Sequence, residues 1–450
     1  MLTLADAAEQ IRTRRISPVE LTHECLTRIE RLNPALNAFI TITGDLALEQ
    51  ARRAETEIGS GQYRGPLHGI PIALKDLLDT AGVRTTAGSN QYRERVPTVD
   101  AEAVRRLKDA GAVIVGKLNM HEFAFGMSGV ISAFGPARNP WDTERITGGS
   151  SSGSAAAVAA GMCVAALGSD TSGSVRCPAA MCHIVGHRPS AGLISTEGVV
   201  PLSTSFDTVG PMARTVRDAA VLLDVLTGTT QFAAKLQGDV SSLRIGVARR
   251  KFFDDLDPDV SACVEVGLET LRRLAAEVRE VELTLEGFRT IFDAEIYEYH
   301  EPMIRESPER YDPRTLFRLK NCAGISATDY VRQRRRLVEF RRKVEEVFEA
   351  VDAIVTPTTP VPAPKIAELE ALATPDVRPF EVKYLLRNTA PFSVLFWPTI
   401  SVQCGFTRDG LPVGMQISAR PGADLTVLRV AHASEQAAGI AASFELRAED

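Results

Sequence analysis

Two clusters of serine and glycine mark the part of the chain best suited to chemistry. Gly148–Gly153 and Gly168–Ser174 flank an alanine-rich segment, and the whole stretch from Ile146 to Pro189 carries few charges. A serine hydroxyl can attack a carbonyl carbon, and backbone N–H groups in a glycine-rich turn can stabilise the negative charge that then forms on the oxygen. We therefore predict an active site in this stretch.

The spacing of the clusters allows two serines to meet. The alanines after Ser150 predict a helix of about nine residues, which runs roughly 13 Å away from that serine. Gly161 would end the helix, and Cys163–Leu167 can return as a strand over about 16 Å. This path brings Ser150 and Ser174 side by side at the carboxyl end of a strand, where open α/β sheets bind ligands.

A serine nucleophile needs a group that accepts its proton. We predict no nucleophile elbow in this chain, and we interpret His183 and His187, which follow the clusters, as structural. Lys75 ends a short apolar strand, and burial can leave a lysine neutral. From its position alone a surface charge is the more common role for a lone lysine, so that alternative stays open at this point.

The composition is typical of a soluble globular protein. Of the 450 residues, 44% are hydrophobic and 24% are charged, which allows a large core. The net charge of -6 argues against a nucleic-acid-binding surface. Seven cysteines without a CxxC pair predict neither a disulfide framework nor a zinc site and are typical of a reducing compartment. We recognise no signal peptide or membrane span, so we expect a cytoplasmic protein.

Apolar and amphipathic segments alternate in a βαβ rhythm, as in the helical pattern of residues 101–111 followed by the apolar Ala112–Gly116. The pattern predicts an α/β fold: one large domain with a central mixed, largely parallel twisted β-sheet covered by helices on both faces. Thr356–Pro379 is predicted to be a loop or flap over the body. Within the single domain, 1–450, we assign N-terminal helices to 1–60, the catalytic core to 61–230, a variable helical insertion in the substrate region to 231–380, and a return to the core sheet to 381–450.

The central stretch resembles the signature of the amidase signature family. The motif is carried by Gly148-Gly149-Ser150-Ser151-x-Gly153-Ser154 and, further on, Gly168-Ser169-Asp170-Thr171-x-Gly173-Ser174-x-Arg176. The similarity covers most of the chain, through Gly69–Asp76, Gly116–Phe123, Asn139–Trp141, Gly186–Pro189, Thr356–Pro360 and Leu411–Gln416. This resemblance implies the fold of that family.

The resemblance also implies a Ser–cis-Ser–Lys triad. Lys75 would be the base, Ser150 would relay the proton from its place after a cis peptide bond to Gly149, and Ser174 would be the nucleophile. An oxyanion hole is implied for the backbone N–H groups of Thr171, Ser172, Gly173 and the nucleophile itself. No metal and no organic cofactor is required by this chemistry.

Two glycines of the signature are replaced, by Ser152 and Ser172. Glycine is usual where φ is positive, so either the backbone differs or the site accepts a Cβ. We expect that it accepts the Cβ and that the roles are kept. Asp170 and Arg176 are expected to brace the loop.

The residues around the site suggest a substrate. By resemblance we assign substrate binding to Gly126, Met127, Ser128 and Gly149. The A subunits of glutamyl-tRNA amidotransferases carry a polar Ser-Ser-Thr-Glu where this chain continues from Met127, and an acidic residue where it reads Leu385-Leu386-Arg387. We therefore expect an apolar wall without a carboxylate. Its other members could be Phe392, Phe396 and Trp397, for which core packing is an equal alternative.

The predicted function is that of a serine amidohydrolase that cleaves the C–N bond of a small uncharged or aromatic amide, with anilides, carbamates and ester analogues as further candidates. The alternative is the glutaminase A subunit of a tRNA-dependent amidotransferase, which would need a partner. A third hypothesis, an inactive scaffold, is disfavoured because Lys75, Ser150 and Ser174 are all present. The expected partner is the amide substrate, with no direct binding of nucleic acid or membrane, and the choice between monomer and homodimer is left open.

Overall fold

The strands that precede the candidate catalytic residues belong to one large mixed sheet. The computed structural model describes residues 2–371 and 378–440. Its strands are β1 (Phe39–Ile42), β2 (Pro71–Lys75), β3 (Val113–Leu118), β4 (Arg138–Asn139), β5 (Asp142–Ile146), β6 (Ala165–Asp170), β7 (Val185–Arg188), β8 (Thr208–Ala213), β9 (Arg244–Val247), β10 (Glu277–Glu280), β11 (Ala353–Pro357), β12 (Thr399–Phe406) and β13 (Pro412–Ser418). Eleven of them form the sheet in the order β1-β3-β2-β6-β8-β7-β12-β13-β11-β9-β10, and β4 pairs with β5 in a separate hairpin.

Helices flank this sheet. They are α1 (Leu4–Arg12), α2 (Pro18–Leu36), α3 (Gly44–Gly59), α4 (Glu102–Asp109), α5 (Ser152–Ala159), α6 (Arg176–Cys182), α7 (Val216–Thr227), α8 (Gln231–Ala234), α9 (Pro258–Leu274), α10 (Arg289–Glu306), α11 (Pro313–Lys320), α12 (Ala327–Glu345), α13 (Ile366–Glu370), α14 (Arg378–Glu381), α15 (Ala390–Leu395) and α16 (Asp424–Ala438). The predicted α/β class with a mixed sheet is confirmed.

Both faces of the sheet are buried. Along β2, Ile72 and Leu74 belong to one large hydrophobic cluster, whereas Ala73 between them belongs to a second. The same alternation occurs on β3, where Ile114 lies in the first cluster and its neighbour Val115 in the second. Successive strand residues point to opposite faces, so strands without polar alternation are those covered on both sides.

The N-terminal region differs from the expectation of helices alone, because β1 interrupts it. The sequence Phe-Ile-Thr-Ile favours a strand through its β-branched and aromatic residues. This strand pairs antiparallel with β3 at the edge of the sheet, and Ile42 at its end is 49% exposed. A strand of four residues between two long helices is too short for periodicity to reveal.

The structure describes only part of the predicted flap, Thr356–Pro379, because residues 372–377 lie outside the described ranges. The segment begins inside β11, and Ile366–Glu370 forms the short α13. The division of the domain into four regions stays a prediction. All seven cysteines are free thiols. Within the described ranges, no helix combines the length and the apolar character that crossing a bilayer requires.

Candidate active site

Two parallel strands position the first side chains of the site. Strands β2 and β6 are neighbours, with Leu74 opposite Leu167, so their carboxyl ends lie at the same edge of the sheet. Lys75 is the last residue of β2, and its Nζ atom lies 2.7 Å from Oγ of Ser150 and 2.8 Å from Oγ of Ser169. The strand register therefore brings together a lysine and a serine that are far apart in sequence.

Lys75 is a buried residue and not a surface charge. Its side chain is completely buried. Burial is the largest influence and lowers the pKa of Lys75 to about 7, although the negative charges of Asp170 and Asp207 act in the opposite direction. A substantial fraction of this lysine is therefore neutral at pH 7, and the neutral amine can accept a proton. The alternative that the sequence left open is thus excluded by the observed burial.

Ser150 occupies the turn that leads into α5. The peptide bond between Gly149 and Ser150 is cis, as the family resemblance implied. The carbonyl oxygen of Ser150 accepts a hydrogen bond from the N–H of His121 at 3.1 Å, which fixes the residue from the other side. A Cβ on Gly149 would lie 2.9 Å from the backbone nitrogen of Gly129, so only glycine fits before this serine.

Ser174 lies between β6 and α6. Its carbonyl oxygen accepts a hydrogen bond from the N–H of Ser151 at 3.2 Å, which brings it against the turn that carries Ser150. Its hydroxyl is directed at Sδ of Met127, at 3.4 Å. Among the described residues no hydrogen bond joins the hydroxyls of Ser150 and Ser174. The last link of the predicted relay therefore stays a prediction, and it requires a rotation of the Ser174 side chain.

The loop between β6 and α6 is braced by a buried ion pair. Asp170 accepts a hydrogen bond from Nη2 of Arg176 at 3.1 Å and one from the N–H of Val175 at 3.2 Å. Burial alone would raise the pKa of Asp170, but Arg176 and Arg188 hold it well below the usual carboxyl range. The carboxylate is therefore charged and serves to hold the loop, as expected for Asp170 and Arg176.

The predicted oxyanion donors are not all available. Thr171, Ser172 and Ser174 line the same cavity. The N–H of Gly173, however, donates to Oδ1 of Asp170 at 2.8 Å, so the oxyanion role predicted for Gly173 is not met by this arrangement. Glycine is required there for another reason, because φ is +133° and a Cβ would lie 2.2 Å from Oγ1 of Thr389.

The two serines that replace signature glycines are accommodated. Ser172 is not among the residues with positive φ, so its Cβ causes no backbone strain. Its carbonyl oxygen accepts a hydrogen bond from Oγ1 of Thr389 at 2.7 Å. Ser152 begins α5, and its hydroxyl donates to the carbonyl of Asn119 at 3.3 Å. The expectation that the site accepts a Cβ at both positions agrees with this geometry.

A further carboxylate supports the oxyanion loop. Oγ1 of Thr171 donates to Oδ1 of Asp207 at 2.5 Å, and Oδ2 of Asp207 accepts from the N–H groups of Leu202 and Ser203. Burial raises the pKa of Asp207 to about 6, and those hydrogen bonds partly offset the effect. Our sequence analysis did not identify this residue, since a lone aspartate in a loop is usually a surface charge.

Ser174 lines a cavity of about 120 Å³. Of the four residues assigned to substrate binding, Gly126 and Met127 line it. Ser128 and Gly149 do not: the N–H and hydroxyl of Ser128 both donate to Glu381 at 3.2 Å, and Gly149 lies behind against Gly129. The lining residues are Ala124, Phe125, Gly126, Met127, Thr171, Ser172, Ser174, Leu202, Arg289, Phe292, Arg318, Glu381 and Leu386.

The expected apolar wall without a carboxylate is wrong. Leu386 does line the cavity, but Glu381, Arg318 and Arg289 line it as well. Glu381 and Arg318 form a buried ion pair of 3.1 Å. The expectation rested on the residues after Met127 and on residues 385–387, whereas the carboxylate enters from the helical turn before Leu385. In the run Phe-Glu-Val-Lys-Tyr-Leu-Leu, Glu381 resembles a surface charge, and no local pattern reveals its position.

The aromatic residues offered as alternatives belong to the core. Phe392 and Trp397 are fully buried in a hydrophobic cluster that also contains Phe252. Phe396 packs beneath the guanidinium of Arg341. None of the three is among the residues that line the cavity. The core alternative therefore holds for these positions.

Comparisons with known proteins show the family of this chain. The family described as Amidase matches residues 20–300 and 304–428. The A subunit of the glutamyl-tRNA(Gln) amidotransferase from Geobacter metallireducens is 39% identical over 479 residues, which cover 97% of each chain. A solved amidase structure has a TM-score of 0.89 at 35% identity, over 97% of this chain and 99% of that one. The A subunit of the amidotransferase from Thermotoga maritima has a TM-score of 0.80 at 35% identity, over 99% and 98%. The chain belongs to the amidase signature family.

Proposed function

We propose that the protein hydrolyses the C–N bond of a small amide through an acyl-enzyme, with Ser174 as nucleophile, Ser150 as relay and Lys75 as base. One observation carries the proposal. The amine of Lys75 is completely buried, lies 2.7 Å from Oγ of Ser150, and has a pKa lowered to about 7. A neutral amine in contact with a serine is the arrangement that nucleophilic catalysis without histidine requires.

The first half of the reaction forms the acyl-enzyme. Neutral Lys75 accepts the proton of Ser150 while Ser150 accepts that of Ser174, and Oγ of Ser174 bonds to the carbonyl carbon. The carbonyl oxygen becomes an oxyanion, for which the backbone N–H groups of Thr171, Ser172 and Ser174 are the proposed donors. One such donor is typically worth about 2.7–4 kcal/mol of transition-state stabilisation. The proton then returns through Ser150 to the leaving nitrogen, and the C–N bond breaks.

The second half releases the acid. A water molecule takes the place of the leaving amine, and its oxygen attacks the ester carbonyl. As it attacks, the water gives one proton to Ser150, and Ser150 passes its own proton to Lys75. The C–O bond to Ser174 breaks, the serine recovers its proton, and a carboxylic acid leaves. Every proton transfer uses side chains of this chain, so the scheme calls for no metal and no organic cofactor.

Substitution of the triad tests the mechanism. Ser174→Ala and Lys75→Ala should each abolish release of ammonia from small aliphatic amides, and Ser174→Ala should abolish labelling by a fluorophosphonate. Ser152→Ala is the matched control, because Ser152 is a buried serine two positions from the relay. Its hydroxyl donates to the carbonyl of Asn119 and, among the described residues, forms no hydrogen bond with Lys75, Ser150 or Ser174. Rates like those of the unmodified protein in Ser174→Ala would refute the proposal.

The size of the cavity supports a small substrate. At about 120 Å³ it is well below the roughly 300–1,000 Å³ of typical ligand pockets. The uncharged or aromatic amide expected from the sequence depended on an apolar wall, which the charged Arg318 and Glu381 replace. We therefore propose a short aliphatic amide and give up the anilide.

The amidotransferase subunit remains the second candidate, favoured by the 39% identity to the Geobacter subunit over nearly the whole chain. A stand-alone enzyme is supported by the fold, which superposes more closely on the amidase than on the amidotransferase subunit of equal identity. A stand-alone amidase would act without other proteins, whereas an amidotransferase subunit would need its partner subunits and tRNA. Hydrolysis of amides by the purified chain supports the first, whereas glutaminase activity that appears only with added partner subunits and tRNA would support the second.

A further inference from the structure

The cavity beside Ser174 contains more hydrogen-bond donors than acceptors. Three charged side chains line it: Arg289 from the start of α10, Arg318 from α11, and Glu381 from the end of α14. Each of these groups has a fixed number of hydrogen-bond donors or acceptors, and the protein already uses some of them. The donors and acceptors that remain determine which substrate groups the cavity can bind.

Arg318 is buried with part of its guanidinium unused. Its side chain is 5% exposed, and it lies over the ring of Phe125 at 4.4 Å. Nη1 donates to Oε2 of Glu381 at 3.1 Å, while Nε is buried and has no acceptor among the described residues. Buried donors are almost always satisfied in proteins, because an unsatisfied one costs free energy. A guanidinium left in this state favours an acceptor that enters the cavity.

Arg289 adds a second guanidinium at the more open side of the cavity. Its side chain is 47% exposed, and Nε pairs with Oδ2 of Asp293 at 2.6 Å. This contact uses one nitrogen of the fork and fixes the orientation of the group. Within the described ranges the two Nη nitrogens have no acceptor. Arginine forks bind carboxylates through two parallel hydrogen bonds, so the free edge is suited to an anion.

Glu381 cannot balance these donors, because the protein already occupies both of its oxygens. Oε1 accepts from the N–H of Met127 at 2.9 Å and from the N–H and hydroxyl of Ser128 at 3.2 Å. Oε2 accepts from Arg318. The carboxylate thus holds the cavity wall in place. Its remaining lone pair is on Oε2, beside the guanidinium of Arg318, where an ammonium group would meet a like charge.

We infer, on the basis of the function proposed above, that the substrate is a short amide whose far end carries a carboxylate and which has no ammonium group. The anion would lie between the guanidinium groups of Arg289 and Arg318, and the amide carbonyl would lie at Ser174. A zwitterionic amide such as glutamine would place an ammonium group beside two arginines without an acceptor. Like charges in contact discriminate strongly against such a ligand.

Three probes of similar length separate the alternatives. Succinamate carries an amide and a carboxylate, succinamide replaces that carboxylate by a neutral amide of the same shape, and glutamine, which is one methylene longer than succinamate, adds an α-ammonium group. Binding to Ser174→Ala by calorimetry measures recognition without turnover. We expect succinamate to bind about 10- to 100-fold more tightly than either other probe, the range expected for hydrogen bonds to a charged group.

Substitution of Arg289 locates the anion. In the Ser174→Ala background, Arg289→Met should reduce the preference for succinamate over succinamide at least tenfold, and Arg289→Lys, which keeps the charge beside Asp293, should reduce it less. Arg305→Met is the matched control, because Arg305 is an exposed arginine near the other end of the same helix. The control should leave the preference unchanged.

The outcomes distinguish this inference from the proposed function. Equal binding of succinamate and succinamide, tighter binding of glutamine, or an unchanged preference in Arg289→Met would each overturn the inference. Hydrolysis of succinamide by the unmodified protein would still support the proposed function in those cases. Selective binding of succinamate to Ser174→Ala, without hydrolysis by the unmodified protein, would refute the proposed function and leave the anion site standing.

Discussion

The dependence of the rate on pH should report the titration of Lys75. A lysine with its ordinary pKa of 10.5 is neutral in about one molecule in 3,000 at pH 7, whereas Lys75, with a pKa of about 7, is neutral in about half of the molecules. Burial therefore increases the amount of neutral lysine by about three orders of magnitude, which corresponds to about 4 kcal/mol. The sign is fixed: protonation below pH 7 removes the base.

The assay is kcat/KM for a small amide, measured by ammonia release between pH 5 and pH 9.5. We expect a tenfold increase per pH unit below about pH 7 and a plateau above it. Asp207 provides a test of the assignment, because its negative charge raises the pKa of Lys75. Asp207→Asn should therefore move the rising limb to lower pH. Lys75→Arg, which stays protonated, should lower kcat by about 10²–10⁴ and remove the limb.

Three results would refute this reasoning. A limb with its midpoint near pH 10 would mean that Lys75 titrates like an exposed lysine. A profile that is flat from pH 5 to pH 8 would mean that no group with this pKa takes part in the free enzyme. Loss of the limb in Asp207→Asn would assign the titration to Asp207, whose own pKa is raised to about 6, rather than to the lysine.

Three further substitutions test the structure around the site. Lys75→Met should abolish activity yet raise the free energy of unfolding at pH 7 by about 1–4 kcal/mol. Folding lowers the pKa of Lys75, so burial of the lysine destabilises the folded protein most below pH 7. The stability gained by Lys75→Met should therefore be greatest below pH 7 and should disappear as pH rises toward 10.5. Glu381→Gln should lower the free energy of unfolding by about 3–5 kcal/mol, since Arg318 is left buried without its partner. Gly173→Ala should destabilise the loop by about 1–3 kcal/mol and slow fluorophosphonate labelling, because φ is +133° and the new Cβ meets Thr389. Urea unfolding at several pH values measures all three.

Controls for these substitutions are available in the chain. Glu269→Gln breaks an exposed ion pair with Arg272 and should cost less than about 1 kcal/mol. Gly287→Ala places a Cβ where no atom lies within 4 Å and should be tolerated. If Glu381→Gln were no more destabilising than Glu269→Gln, the buried pair would not organise the cavity wall. Unchanged labelling in Gly173→Ala would contradict the required backbone conformation.

The positions of Lys75, Ser150 and Ser174 could be predicted because they follow from local pattern. Apolar runs without polar alternation indicate β2 and β6 as strands buried on both faces, and the ends of such parallel strands meet. The length of α5 and the return through β6 then account for the approach of Ser150 and Ser174. What the sequence could not decide was whether Lys75 is buried, and the family motif supplied that expectation.

The cavity wall could not be predicted in the same way. Arg289, Arg318 and Glu381 come from three helices spread over some ninety positions, and each of them resembles an ordinary surface charge in the sequence. Their convergence depends on how α10, α11 and α14 pack, which no local pattern records. The N–H of Gly173 is a smaller example: its direction depends on the side chain of Asp170, not on the glycine itself.

The distribution of these groups along the chain has a consequence for how the protein can change. Lys75, Ser150 and Ser174, which would break the bond, all precede residue 175, whereas the three charged groups of the wall all follow residue 288. Exchange of the second part of the gene between relatives would therefore alter which amide is accepted while leaving the reacting groups untouched.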